Sequence, residues 1–261
     1  MFKYANLHLF VIYILLCVAG PAKALDPNNL TEREEYIVGN GLHVTLHEMG
    51  HLLIDQLKIA VLGQEEDAAD NFATIALIDK DTAFADNALA NTAHFWFVMA
   101  EDQDNAAGAF FDEHDLDIQR AYRIVCHLVG VDPEAFDYLA EAAELSQDNY
   151  DSCGESFEQT ADSWFATLDS FKPQSEFENQ FILEFETPEP QYKEALAIIQ
   201  DGLFIEDAID FINQHVELPK PVTIIAATCG QPNAFYDSAD VSVTICYELI
   251  DLYGTIYDAT E

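Results

Sequence analysis

The chain has 261 residues, half of them hydrophobic, and carries 48 acidic against 10 basic side chains, a formal net charge of −38. A field of that sign repels phosphate backbones and anionic membrane surfaces, which excludes nucleic acid as a partner, and no stretch is long and apolar enough for stable membrane insertion. It favours solubility in salty surroundings and attracts cations and basic substrates.

Residues 1–24 read as a signal peptide. Lys3 supplies a positive start, Leu7 to Ala19 an apolar core, and Ala22-Lys23-Ala24 a small-residue cleavage site. The apolar core is too short to span a bilayer, and the bulky Leu16 before Cys17 argues against a lipoprotein site. The expectation is an exported protein, secreted or periplasmic, with residues 25–261 as one mature domain. Loss of Cys17 leaves four cysteines, and an even number in an exported chain suggests two disulfides. Of the possible pairings, Cys126 with Cys153 and Cys229 with Cys246 each bracket one local unit.

The first predicted helix starts at Asn40 or Thr45 and runs to about Leu57. It contains His47-Glu48-Met49-Gly50-His51, an HExxH pattern. On a helix the two histidines lie one turn apart on one face, so both imidazoles can reach one Zn²⁺. Glu48, next to the first of them, is placed to act as general base on a water. Gly63 breaks the pattern, and Glu65 to Leu77 reads as a second helix whose first turn is acidic, as the helix dipole favours.

A catalytic zinc site needs three protein ligands and an open position. Glu66 and Asp70 share one face of the second helix, which makes Glu66 the expected third ligand. Asp70 is then the acceptor that orients an imidazole N–H, that of His47. Glu65, Asp67 and Asp70 are the alternative ligands in this acid-rich stretch.

Further helices are expected over Asp81 to Glu101, Leu116 to Val129, Pro133 to Leu145 and Glu155 to Leu168. Before the second of these, Asp112-Glu113-His114 gathers polar groups ahead of Asp117, Gln119, Arg120 and Tyr122. His114 or Tyr122 can donate to the oxyanion of a tetrahedral intermediate. A helix cap with local ion pairs explains the same residues without chemistry.

From Lys172 the character changes. Phe177 to Phe185 alternates as a strand does, and Glu189 to Gln214 has the length of one long helix. Pro221 to Cys229 and Val241 to Tyr247 are β-branched runs around the turn-rich Gly230 to Asp240, read as a β-hairpin stapled by Cys229 and Cys246. Tyr236 at its tip is a further phenol. The fold class is α+β: a helical part over 25–171, then strand, helix and hairpin over 172–261.

Four segments, HEMGHLLIDQL, VLGQEEDAADNFA, FFDEHDLDIQRAYRIVC and CGQPNAFYDSADVSVTICYEL, resemble a zinc metallopeptidase family of unknown function. The resemblance covers most of the mature chain. It implies a zincin-like fold with His47, His51 and Glu66 as zinc ligands, Glu48 as base, and peptides or proteins as substrates. In that family the hairpin segment precedes the HExxH helix, whereas here it follows it. The tail CYELIDLYGTIYDATE would run into LTEREEYIVGNGLHVTLHEMGH if the ends were joined, which implies a circular permutation.

The reading of the sequence is therefore an exported zinc-dependent metallopeptidase. The alternatives are a non-catalytic zinc-containing binding or structural module, and an acidic cation-binding protein in which HEMGH is incidental.

Overall fold

The computed structural model describes residues 25–26, 29–102, 114–173 and 177–260; the signal-peptide reading falls on residues outside this set. The helices are α1 (Glu32–Leu57), α2 (Glu65–Asp79), α3 (Ala83–Asp102), α4 (Asp117–Val131), α5 (Pro133–Ala142), α6 (Gln147–Asp169), α7 (Lys193–Asp201), α8 (Phe204–His215) and α9 (Tyr247–Thr260). The strands are β1 (Phe181–Phe185), β2 (Val222–Ala227), β3 (Ala234–Asp237) and β4 (Ser242–Cys246). The architecture is α+β, as the patterning indicates.

Helix α1 begins well before Asn40. Thr31 caps it: its side chain accepts from the Glu34 amide while the Glu34 carboxylate accepts from the Thr31 amide, and Glu32, Glu34 and Glu35 sit in the dipole's positive first turn. Gly39 and Gly41 suggest a break in the sequence, but they mark close packing. A Cβ on Gly39 would lie 2.9 Å from the Ala88 backbone of α3. Helix α1 is thus the central element, with α2, α3, α8, α9 and the sheet packed around it.

The sheet has strand order β1-β2-β4-β3. Strands β1, β2 and β4 run parallel, with Phe181 opposite Val222 and Thr223 opposite Ser242; β3 is antiparallel to β4, with Ala234 opposite Ile245. This corrects the expected hairpin. Its two β-branched runs became β2 and β4, which are parallel neighbours, and the true hairpin pairs β4 with the short β3 that the sequence hid in the turn-rich tip.

Other boundaries differ as well: helix α6 starts at Gln147 and not Glu155, capped by Ser146. The strand expected from Phe177 starts at Phe181, because Asn179 is engaged elsewhere: its amide donates to the Val216 carbonyl at 2.8 Å and its oxygen accepts from the Leu218 amide at 2.7 Å. The expected helix over 189–214 is broken at Gly202 and Leu203, the latter in the left-handed region at φ 56°. The break re-aims the chain so that Ile198 and Ile199 on α7 and Phe204 and Ile205 on α8 all become buried.

One hydrophobic cluster joins the two parts of the chain. It contains Leu46, Met49 and Leu53 of α1, Phe72 and Leu77 of α2 and Leu128 of α4, together with Ile224, Val243, Ile245 and Tyr247. Burial of each such side chain stabilises by about 1.5–3 kcal/mol before entropy is charged. Two disulfides add to it: Cys126–Cys153 ties α4 to α6, and Cys229–Cys246 ties the end of β2 to β4. No helix among the described residues is long and apolar enough to cross a membrane.

Candidate metal centre

The site is assembled where α2 crosses α1. Gly50, between the two histidines, makes this crossing possible, since a Cβ there would come within 3.0 Å of the Ala69 Cα. The close approach brings the first turns of α2 over His47 and His51. Nε2 of His47, Nε2 of His51 and Oε2 of Glu66 lie 3.2 Å from one another in all three pairings. Ligands about 2.0–2.1 Å from a tetrahedral Zn²⁺ are separated by about 3.3 Å, so this triangle has the size of three corners of such a site.

Both imidazoles are oriented from behind. Nδ1 of His47 lies 2.8 Å from Oδ1 of Asp70, and Nδ1 of His51 lies 2.9 Å from Oε1 of Glu65. A carboxylate placed to accept an Nδ1–H favours the tautomer whose Nε2 lone pair is free for a metal. Of the acids weighed from the sequence, Glu66 completes the triangle, Glu65 and Asp70 stand behind the imidazoles, and Asp67 pairs with Arg123 at 2.9 Å.

Behind Asp70 lies Arg120, which the sequence placed in the polar group near His114 and gave no partner on α2. Arg120 donates from Nε to Asp70 Oδ2 at 2.7 Å and from Nη2 to Asp70 Oδ1 at 2.6 Å, and its guanidinium carbon sits 3.7 Å over the Trp96 ring. Burial alone would raise the Asp70 carboxyl, yet Arg120 and His47 hold it well below the usual carboxylate range. The signal was available, because Arg120 is in register with Ile124 and Leu128 on the apolar stripe of α4. A cation on such a stripe needs a buried acid.

Charge bookkeeping points the same way. Glu48, Glu65, Glu66 and Asp70 gather around the two imidazoles with one guanidinium, an excess of negative charge that a cation would offset. The donor set of two imidazoles and a carboxylate suits Zn²⁺.

A cleft of about 730 Å³ opens from this cluster. Glu48 lines it and is only 5% exposed; burial pushes its carboxyl up, and the neighbouring imidazoles pull it back down. One wall is the segment Pro232–Tyr236, including β3, the outermost strand of the sheet. Tyr236 donates to Asp55 Oδ2 at 2.8 Å and accepts from Gln56 at 3.0 Å, so α1 holds this wall in place. The lining also has an apolar part, with Phe95, Trp96 and Met99 of α3 and Leu249 and Leu252 of α9.

His114 joins the cluster. Its Nε2 is 2.8 Å from Oε2 of Glu66, and its ring is stacked on that of His47 at 6.2 Å. Tyr122 does not join it. Its hydroxyl donates to the Ala143 carbonyl at 2.9 Å and its ring packs edge-on against Phe97, away from the cleft lining. Tyr122 was expected from its closeness in sequence to His114, but the start of α4 lies between them, and the helix turns the phenol to another face.

A second grouping of possible ligand atoms, Cys229, Cys246 and Glu248, has a structural explanation. The two sulfurs are bonded to each other, and the Glu248 carboxylate accepts from the amides of Cys229, at 3.0 Å, and Gly230, at 2.7 Å.

A family model described as "Putative metallopeptidase" matches residues 18–168 and 185–261, nearly the whole chain. No curated protein and no solved structure matches it.

Proposed function

The chain belongs to the putative metallopeptidase family, and from that premise we propose that it is an exported zinc-dependent peptidase with His47, His51 and Glu66 as ligands. The observation that carries the reading is the 3.2 Å triangle of donor atoms, with a carboxylate beside Nδ1 of each imidazole. Zinc held there would supply Lewis acidity, lowering the pKa of a water and polarising a peptide carbonyl.

The chain's own residues do the rest. Glu48 accepts the proton of the attacking water and passes it to the nitrogen of the leaving amine. Its burial favours the protonated state and the imidazoles favour the ionised one, the balance a carboxyl needs to do both. His114, beside Glu66, donates to the developing oxyanion. The peptide lies extended along β3, an edge strand whose residues line the cleft, and adds as a further strand. The two disulfides support export, since such bonds persist in oxidising compartments.

A second reading is a closed, non-catalytic zinc module. The 2.8 Å contact of His114 with Glu66 favours it, because a fourth protein donor there would fill the open position. Buried Glu48 favours the enzyme, since a structural site has no use for it. The deciding experiment is metal analysis of the purified protein together with a peptide-library digest by wild type and Glu48→Gln. One zinc per chain with cleavage lost in the variant establishes the peptidase. One zinc without cleavage in either establishes the closed module.

The nearness of the start of α1 to the end of α9 supports the permutation reading. Arg33 near the start of α1 donates to Asp258 near the end of α9 at 2.8 Å, and the Tyr36 and Tyr257 rings lie 5.5 Å apart. A short linker can span such ends.

A further inference from the structure

Helices α2, α3 and α4 each contribute one side chain to a single line of contacts that ends on His47. Trp96 of α3 lies against the guanidinium of Arg120 at 3.7 Å; Arg120 of α4 grips both oxygens of Asp70; Asp70 of α2 meets His47 Nδ1 at 2.8 Å. Every polar member is shielded, with Arg120 8%, Asp70 7% and His47 4% exposed. Oδ1 of Asp70 is shared: it faces Nη2 of Arg120 at 2.6 Å and Nδ1 of His47 at 2.8 Å. A carboxylate held by two parallel N–H···O bonds cannot rotate without breaking both, so the fork fixes the plane in which Asp70 meets the imidazole. The flat Trp96 ring in turn fixes the plane of the fork.

We propose that Arg120 is a positioning residue for the metal centre: it acts through Asp70 to hold His47 in its ligating orientation, and Trp96 clamps it there. The inference rests on the zinc reading above and adds the residues that tune affinity from outside the ligand set. It assigns to a buried ion pair a role beyond stability. A well-packed apolar pair could serve stability as well, whereas only a forked cation both fixes the carboxylate and balances its charge.

The test is a double-mutant cycle on zinc affinity, measured by chelator competition at fixed pH, with far-UV circular dichroism of the metal-free proteins as the folding control. Asp70→Asn and Arg120→Met are each expected to weaken zinc by about 10–100-fold, the usual range for partners that orient a ligating histidine. Because Arg120 acts through Asp70, the double variant should bind about as Asp70→Asn alone does. Losses that multiply in the double variant would overturn the proposal, as would an Arg120→Met protein that binds zinc like wild type.

If Arg120→Met does not fold, Arg120→Lys gives the same cycle, since it keeps the charge and loses the fork. Trp96→Leu is expected to weaken zinc several-fold in the wild-type background and not in the Asp70→Asn background. Equal losses in both would remove Trp96 from the line. A wild-type protein that takes up no zinc would instead overturn the metal reading itself, before the cycle is run.

Discussion

Nδ1 of His51 lies 2.9 Å from Oε1 of Glu65, while Nε2 of the same ring lies 3.2 Å from Oε2 of Glu66. Two adjacent glutamates therefore stand on opposite sides of one imidazole, and on the zinc reading one orients it while the other shares the metal with it. Their substitutions should separate. Glu66→Ala is expected to abolish stoichiometric zinc binding, and Glu65→Ala to weaken it by about 10–100-fold while the site still fills at excess metal. Metal content after dialysis against graded zinc distinguishes them. Equal losses would mean that the two carboxylates exchange roles.

Glu48 lines the cleft and is not one of the three triangle residues. Glu48→Gln should therefore bind zinc as wild type does and lose peptide turnover by about 10²–10⁴-fold, the usual contribution of a positioned general base. Both quantities come from one preparation, by mass spectrometry of the native protein and a fluorogenic peptide mixture. A variant that retains turnover would remove Glu48 from the mechanism.

The HExxH helix, the acidic second helix and the α+β division were legible because each rests on local periodicity: His47 and His51 one turn apart, Glu66 and Asp70 one turn apart. What the sequence concealed depends on distant contacts. Gly39 looks like a helix breaker until Ala88 is seen against it. Strand β3 is four residues long and gains its pairing from β4, so no pattern of its own announces it. Arg120 was read as one of a polar group near His114, and its true partner, Asp70, lies fifty residues upstream.

A buried histidine outside the site gives the chain an acid limit. His127 is 2% exposed; its Nε2 lies 3.1 Å from Asn71 Oδ1, its Nδ1 has no hydrogen-bond partner among the described residues, and burial lowers its pKa to about 4. The folded protein thus resists a proton that the unfolded chain, with an ordinary value near 6.5, takes up. Stability contributed by the neutral ring is full above the unfolded value and is lost as pH falls from about 6.5 to about 4, by up to roughly 3 kcal/mol. In urea unfolding at pH 7 and pH 4.5, His127→Leu should lose less stability across the interval than wild type. Parallel pH dependence in the two proteins would show that His127 titrates alike folded and unfolded.

Disulfide Cys126–Cys153 closes a span of 27 residues between α4 and α6, and Cys229–Cys246 one of 17. Chain-entropy arguments give each about 3–4 kcal/mol. The consequences should differ, because β2, β3 and β4 are further held by their ladder while α6 is joined to α4 by packing alone. Replacing Cys126 and Cys153 by Ala should expose α6 to proteolysis first, whereas replacing Cys229 and Cys246 should loosen the Pro232–Tyr236 wall of the cleft. Limited digestion with mass mapping reads both. Cleavage in the same place for both pairs would contradict this division.

The ion pair between Arg33 and Asp258 makes the permutation reading testable in one construction. A chain starting at Phe177, running to Thr260, joined by a short Gly/Ser linker to Leu30 and ending at Pro173 has the sheet before the HExxH helix. It keeps every strand pairing, both disulfides and the contact of α1 with α2, since none of these depends on the segment between Pro173 and Phe177. Joining adjacent ends with a short loop adds little closure entropy. The permuted protein is therefore expected to melt within a few degrees of wild type and to bind zinc with the same affinity. A permuted chain that fails to fold while the linker-free wild type does would mean that the present order of the two parts is required, and that the nearness of Arg33 to Asp258 is a packing contact with no history behind it.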